Sequence, residues 1–354
     1  MTLATPYSLL RQILYAPVSM ESLTLREWDV LLPLARSTRL LARLGALAHD
    51  VGIWEDLPDQ VRLHMTGAEV QVGAQQRVAA WELDRLHRVL GECPFPVILL
   101  KGAAYLQGGL QVGRGRDFAD VDILVPRTHI DEAENALKAA GWVSGALSEY
   151  DERYYRDWMH EIPPLRHPDR WVEVDVHHTL LPVTGRIQLV AGRLFEESRP
   201  LPDSRFRILG AEDLVLHSAT HLFTSGECER ALRDLSDLDL LLRQFAAETP
   251  GYYDRLLRRA EELNLGRILY YALHGVHAAL NTPIPEEVLR ACDRFGPPVA
   301  WARFMNAVFL AAFAPEVSGL SNLARGFLFL RSHWLKMPFI LLVRHLWTKA
   351  YASH

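Results

Sequence analysis

The chain has 354 residues, of which 49% are hydrophobic and 23% charged, so it carries enough apolar material for two or three ordinary domains and is not a disordered or low-complexity protein. A formal net charge of -5 and a pI of about 6.3 exclude the global basic field that collects nucleic acid, although a local basic groove remains compatible. Cys93, Cys228 and Cys292 are far apart and odd in number, which excludes a disulfide framework and a C-x-x-C metal knuckle and suits a reducing cytoplasm.

The start, Met1-Thr2-Leu3-Ala4-Thr5-Pro6, lacks the basic and apolar regions of an export signal. Residues 7 to 92 read as helix almost throughout. Leu9, Leu10, Ile13 and Leu14 form one apolar face, and Leu31, Leu32, Leu34, Leu40, Leu41, Leu44 and Leu47 form another that closes near Gly52. A weaker repeat runs from Gln60 to Leu90. The Arg and Glu residues of these helices read as solvated faces.

Cys93-Pro94-Phe95-Pro96 stops the helical pattern. Val97 to Leu100 is continuously aliphatic and predicts a buried strand. Gly102 then permits a sharp turn, and Ala103 to Leu110 begins a helix whose amides face the loop. Gly108, Gly109, Gly113 and Gly115 connect to Asp120-Val121-Asp122-Ile123-Leu124-Val125. Side chains alternate in a strand, so Asp120 and Asp122 share one face while Val121, Ile123 and Val125 share the other. Two adjacent carboxylates repel unless a cation lies between them, and Mg2+ suits hard oxygen donors; the plainer reading is an edge strand with a solvated acidic face. A helix follows, with Thr128 as its cap, Ile130, Ala133, Leu137 and Ala140 on one side, and Gly141 at its end.

Tyr150 to Arg156 gives no clear secondary-structure signal. Trp171-Val172-Glu173-Val174-Asp175-Val176-His177 alternates again, placing Glu173, Asp175 and His177 on one strand face. From Ala211 onward the texture is helical: Glu212 to Phe223, Arg230 to Phe245, Tyr252 to Leu263, Arg267 to Leu280 and later segments. Phe327 to Trp347 is apolar, but Arg331, His333, Lys336, Pro338 and Arg344 interrupt it, so a buried or amphipathic helix is expected rather than a bilayer span. The expected layout is an α+β protein with a helical region at 1–93, an αβ core with a mixed sheet at 94–205, and a helical region at 206–354.

A strand, a glycine-bearing turn into a helix, a strand with two acids and a later strand with a third form a set suited to chemistry on a triphosphate. These residues resemble the nucleotidyltransferase superfamily with the polymerase-β-like fold, and more narrowly a bacterial uncharacterised nucleotidyltransferase family often encoded beside peptide-modification genes. The resemblance is carried by Leu100-Lys101-Gly102-Ala103-Ala104, by Arg116-x-x-x-Asp120-Val121-Asp122-Ile123-Leu124-Val125 and by Val174-Asp175-Val176-His177. It continues as Glu212-Asp213-Leu214-x-x-His217-x-x-x-His221 and Leu232-Arg233-x-x-x-Asp237-Leu238, covering roughly residues 97 to 242.

The resemblance implies an enzyme moving a nucleotidyl group from an NTP such as ATP to a hydroxyl on a peptide, protein or small molecule, with nucleic acid a less favoured acceptor. Two Mg2+ ions would be held by Asp120, Asp122 and Asp175, with Asp175 also activating the acceptor. Gly102 and Ala103 would border the triphosphate, and Lys101 and Arg116 would contact phosphate or form structural ion pairs. Two departures stand out: Ala103 has no hydroxyl where the superfamily often has serine, and the spacer to Asp120 is longer than in compact members.

Glu173 is the alternative to Asp175 as third ligand, and His177 is read as orienting a carboxylate. His217 and His221 have zinc-ligand spacing but lack the glutamate of H-E-x-x-H, so they are read as hydrogen-bonded beneath the site or touching substrate. Arg233 and Asp237 are read as a helix ion pair. The competing functions are a glycosyltransferase using a nucleotide sugar on the same fold and a non-catalytic nucleotide-binding regulator.

Overall fold

The computed structural model describes residues 5–170, 172–315, 318–339 and 341–342. The N-terminal helices are α1 (Pro6–Tyr15), α2 (Leu25–Ser37), α3 (Leu41–Asp50) and the 32-residue α4 (Asp59–Leu90). Thr24 and Glu27 form a reciprocal capping box at the start of α2. The apolar face expected to run from Leu31 to Leu47 is divided: α2 ends at Ser37, and Arg39 takes a left-handed φ of 60° before α3 starts. Leu9, Leu10, Ile13 and Leu14 are buried as their spacing requires.

Next come β1 (Val97–Leu99), α5 (Lys101–Gln107), β2 (Asp120–Leu124), α6 (Ile130–Ala139), β3 (Val143–Ser144) and α7 (Glu149–Arg153), which runs into a wide π turn at Tyr154–Trp158. They are followed by β4 (Leu165–Arg166), β5 (Glu173–His177), α8 (Gly192–Glu196), β6 (Arg199–Pro200) and β7 (Phe206–Ile208). Among the described residues these strands form one mixed sheet in the order β3-β4-β5-β2-β1-β7-β6. β2 and β5 run parallel, with Asp120 opposite Glu173, Asp122 opposite Asp175 and Leu124 opposite His177. Trp171, expected to open β5, lies outside the described residues.

Two local expectations need correction. The left-handed residue between β1 and α5 is Lys101, with φ of 43°, and Gly102 is already inside the helix. Gly102 instead supplies space: a Cβ there would lie 2.7 Å from Arg116 Nη1 and 2.9 Å from Phe118 Cε1. Thr128 does not cap α6. It lies within a 3-10 turn, Arg127–His129, that leads directly into the helix.

The C-terminal half is helical: α9 (Ala211–Thr224), α10 (Ala231–Glu248), α11 (Tyr252–Glu262), α12 (Gly266–Leu280), α13 (Glu286–Cys292), α14 (Val299–Phe313) and α15 (Gly319–Lys336). α9 packs on α10, α12 and α5, and so joins this layer to the sheet. Within the segment Phe327 to Trp347, residue 340 and residues 343–347 lie outside the described residues. No helix among the described residues is long and apolar enough to cross a membrane.

Candidate active site

Parallel pairing of β2 with β5 brings two distant acids together. Asp122 and Asp175 are direct cross-strand partners, and Asp120 lies two residues from Asp122 on the same face. Asp122 is buried, whereas Asp120 and Asp175 are partly exposed. Glu173 is exposed at the start of β5, opposite Asp120.

The acids have unequal compensation. Lys101 Nζ donates to Asp122 Oδ1 at 2.8 Å, and His177 Nε2 lies 3.0 Å from the same oxygen. Burial works against charge on Asp122, but Lys101 and His177 hold its carboxyl well below the usual range. Burial likewise opposes charge on Lys101, and Asp122 more than restores it. Asp175 has no such partner among the described residues: its Oδ1 is buried without a hydrogen bond there. Burial, followed by the charges of Asp122, Glu161 and Asp120, pushes the Asp175 carboxyl up to about 8. Asp120 is also raised, by burial and then by Asp122. A face with three acids and one ammonium therefore has unneutralised negative potential, and its oxygen donors fit a hard divalent ion.

In front of Asp120 opens a cavity of about 760 Å3. Lys101, Gly102, Arg116 and Asp120 line one side, Arg230, Arg233 and His221 line another, and Arg325 and Phe329 of α15 contribute further. Ala103 lies in the hydrophobic core behind this surface. The Arg230 side chain makes no hydrogen bond or ion pair among the described residues, although its charge acts on Asp120.

Arg116 is committed to the scaffold. Its Nε donates to Asp237 Oδ2 at 2.8 Å, and Arg43 Nη1 lies 2.7 Å from the other oxygen of that carboxylate. The expected Arg233–Asp237 pair along the helix is thus replaced by tertiary partners. Arg233 reaches Asp117 Oδ1 at 3.1 Å and Asp234 Oδ1 at 2.8 Å, while Arg39 holds the second Asp117 oxygen at 2.6 Å. The β2 end of the β1–β2 spacer is therefore tied to both the N-terminal and the C-terminal helical regions.

α9 does pass beneath the site, but neither His217 nor His221 makes a side-chain hydrogen bond among the described residues. Burial, followed by the Lys101 charge, lowers His217 to about 3, so it is a neutral ring. His221 Nδ1 is 3.9 Å from Asp234 Oδ2 on the cavity wall. His177 does orient a carboxylate, through the contact with Asp122. Sequence reasoning missed Glu161, which lies 3.4 Å from His177 Nδ1, and the cavity cations Arg230 and Arg325. The adjacent His160-Glu161 pair was the available signal for the first, but its segment has no strand or helix periodicity.

The crystal structure of JHP933 from Helicobacter pylori is 14% identical over 80% of this chain and 98% of that chain, with a TM-score of 0.33. No curated protein matches the sequence significantly. A family model described as "Uncharacterised nucleotidyltransferase" matches residues 24–281, most of the chain and all of the site described above except Arg325 and Phe329. The chain belongs to this uncharacterised nucleotidyltransferase family, and it is an enzyme of the nucleotidyltransferase type.

Proposed function

We propose that the protein is a Mg2+-dependent enzyme transferring a nucleotidyl group from an NTP to a hydroxyl on a peptide, protein or small molecule, through Asp120, Asp122 and Asp175. The observation carrying this reading is the orphaned, buried Oδ1 of Asp175 directly across from Asp122. Three oxygen-donor side chains with too little positive charge between them fit two Mg2+ ions, which when bound would neutralise phosphate oxygens and favour in-line attack. In this reading residues 94–205 form a polymerase-β-like core, and residues 1–93 and 206–354 enclose it.

The residues divide the remaining work. The cavity volume of about 760 Å3 suits a nucleotide. Among the described residues Arg230 is a cavity cation whose side chain is free to meet the triphosphate, whereas Arg116 packs against Gly102 and Phe118 while bonded to Asp237. Lys101 fixes the Asp122 rotamer and adds positive charge beside the phosphates. Asp175, once a bound divalent ion has displaced its own proton, would take the proton of the acceptor hydroxyl. The acceptor oxygen bonds to the α-phosphorus, the α–β anhydride bond breaks, and pyrophosphate leaves.

The test is donor profiling. The protein is incubated with each NTP and with UDP-glucose, Mg2+ and a cell extract, and products are read by mass spectrometry and pyrophosphate release. Nucleotidylated product lost in Asp120→Asn and Asp175→Asn is expected. Glycosylated product, or activity unchanged in both variants, would overturn the reading.

A further inference from the structure

Behind the carboxylate face, His177 meets a second acid. Glu161 and His177 form an isolated antiparallel bridge, with Ile162 N bonded to Val176 O at 3.1 Å and His178 N bonded to His160 O at 2.9 Å. This backbone pairing presses His160 and Glu161 against the end of β5. His177 Nδ1 is 3.4 Å from Glu161 Oε2, and His160 Nε2 is 3.8 Å from the same oxygen. One ligand atom from each of the three side chains lies within 4.8 Å of the others.

The proton count at His177 leaves a conflict. A neutral imidazole has one N–H. Donated from Nε2 to Asp122, it leaves the Nδ1 lone pair facing a carboxylate; placed on Nδ1, it leaves the Nε2 lone pair facing Asp122. Among the described residues both His177 Nδ1 and His160 Nδ1 are buried without a hydrogen bond, and His177 is only 3% exposed. Buried polar atoms of this kind are uncommon unless something else partners them. A cation between the two rings and Glu161 would partner the Nδ1 lone pair of His177.

We propose that His160, Glu161 and His177 form a transition-metal site that adjoins the carboxylate face, takes none of its three acids as a ligand, and is suited to Zn2+ or Co2+. Two imidazoles and one carboxylate form a borderline donor set that leaves coordination positions open, whereas Mg2+ favours all-oxygen surroundings. The second nitrogen of His177 already rests on Asp122 at 3.0 Å, which is the carboxylate–histidine–metal arrangement that fixes a ligand's tautomer. Side-chain rotations of about 1 Å would bring the ligand atoms to metal-bonding separations. The metal would pin the 160–162 segment to β5 and hold the ring that orients Asp122. It is a positioning site, and it does not depend on the nucleotide-transfer reading.

The test uses the full-length protein, stripped with a chelator and titrated with Co2+ while visible absorption and heat are recorded, with Zn2+ as competitor. Binding of one equivalent with ligand-field bands, displaced by Zn2+ but not by excess Mg2+, is expected. His160→Ala and Glu161→Gln should each weaken it at least about tenfold, while Asp120→Asn should leave it intact. Long-range proton–nitrogen spectra of the unmutated protein give a readout independent of variant folding: Zn2+ should shift Nδ1 of His177. No Co2+ bands, full affinity in both variants, or an imidazolium pattern unmoved by Zn2+ would overturn the proposal. Loss of NTP-dependent Mg2+ binding with Co2+ binding retained would sink the functional reading and leave this site standing.

Discussion

Replacing Asp175 by Asn tests the electrostatics of the carboxylate face, because it keeps the shape and removes the proton that the metal-free site holds. Burial and three neighbouring acids raise the folded carboxyl from 3.8 to about 8. A folded value above the unfolded one contributes stability that is fully present below about pH 4 and is lost as pH rises through about 8. From about pH 6 to about pH 8 the folded chain holds a proton that the unfolded chain lacks, so the metal-free protein should lose about 2 kcal/mol from this group alone. A divalent ion must displace that proton, so its affinity should rise about tenfold per pH unit towards pH 8. Urea unfolding in chelator at three pH values gives the first slope, and calorimetry in buffers of different ionisation enthalpy gives the proton release. Asp175→Asn should flatten the slope and abolish the release. Equal slopes in the two proteins, or metal binding without proton release, would refute the reasoning.

Asp237→Asn strips the counter-charge from buried Arg43 and Arg116 and should cost about 3–5 kcal/mol in urea unfolding. Burial raises the Asp237 carboxyl, but Arg116 and Arg43 hold it below its ordinary value, so its contribution is present at neutral pH and should fade only as pH falls below about 4. Gly102→Ala places a methyl 2.7 Å from Nη1 of Arg116, whose guanidinium Asp237 already fixes through Nε; a loss of about 1–3 kcal/mol is expected in thermal or urea melts. Arg230→Ala removes a cavity cation whose side chain has no hydrogen-bond or ion-pair partner among the described residues, so the melting temperature should hold while KM for the NTP rises about 10-fold or more.

Much of the scaffold was legible because its periodicity is local. Helices α9 to α12 end within a few residues of their predicted limits, and the alternation in Asp120–Leu124 and Glu173–His177 defines two real strands. β3, β4, β6 and β7 were not legible, because two or three residues cannot display an alternation. Arg39 and Lys101 take left-handed backbones that neither residue type announces.

At the site, the acids were visible as strand-face residues, but what compensates each of them is tertiary. Helical spacing pairs Arg233 with Asp237; the fold gives Asp237 two other arginines because Arg43 and Arg116 arrive from distant segments. Glu161 escaped for the same reason. It belongs to an irregular stretch and reaches His177 only through a single bridge.

The central claim, that Asp120, Asp122 and Asp175 hold divalent metal for an NTP, is tested most directly by anomalous diffraction from crystals grown with Mn2+ and a non-hydrolysable NTP analogue. The account predicts manganese peaks within bonding distance of all three carboxylates, with the triphosphate in the cavity beside Arg230. Manganese bound away from Asp120 and Asp175, or a triphosphate seated outside that cavity, would contradict it.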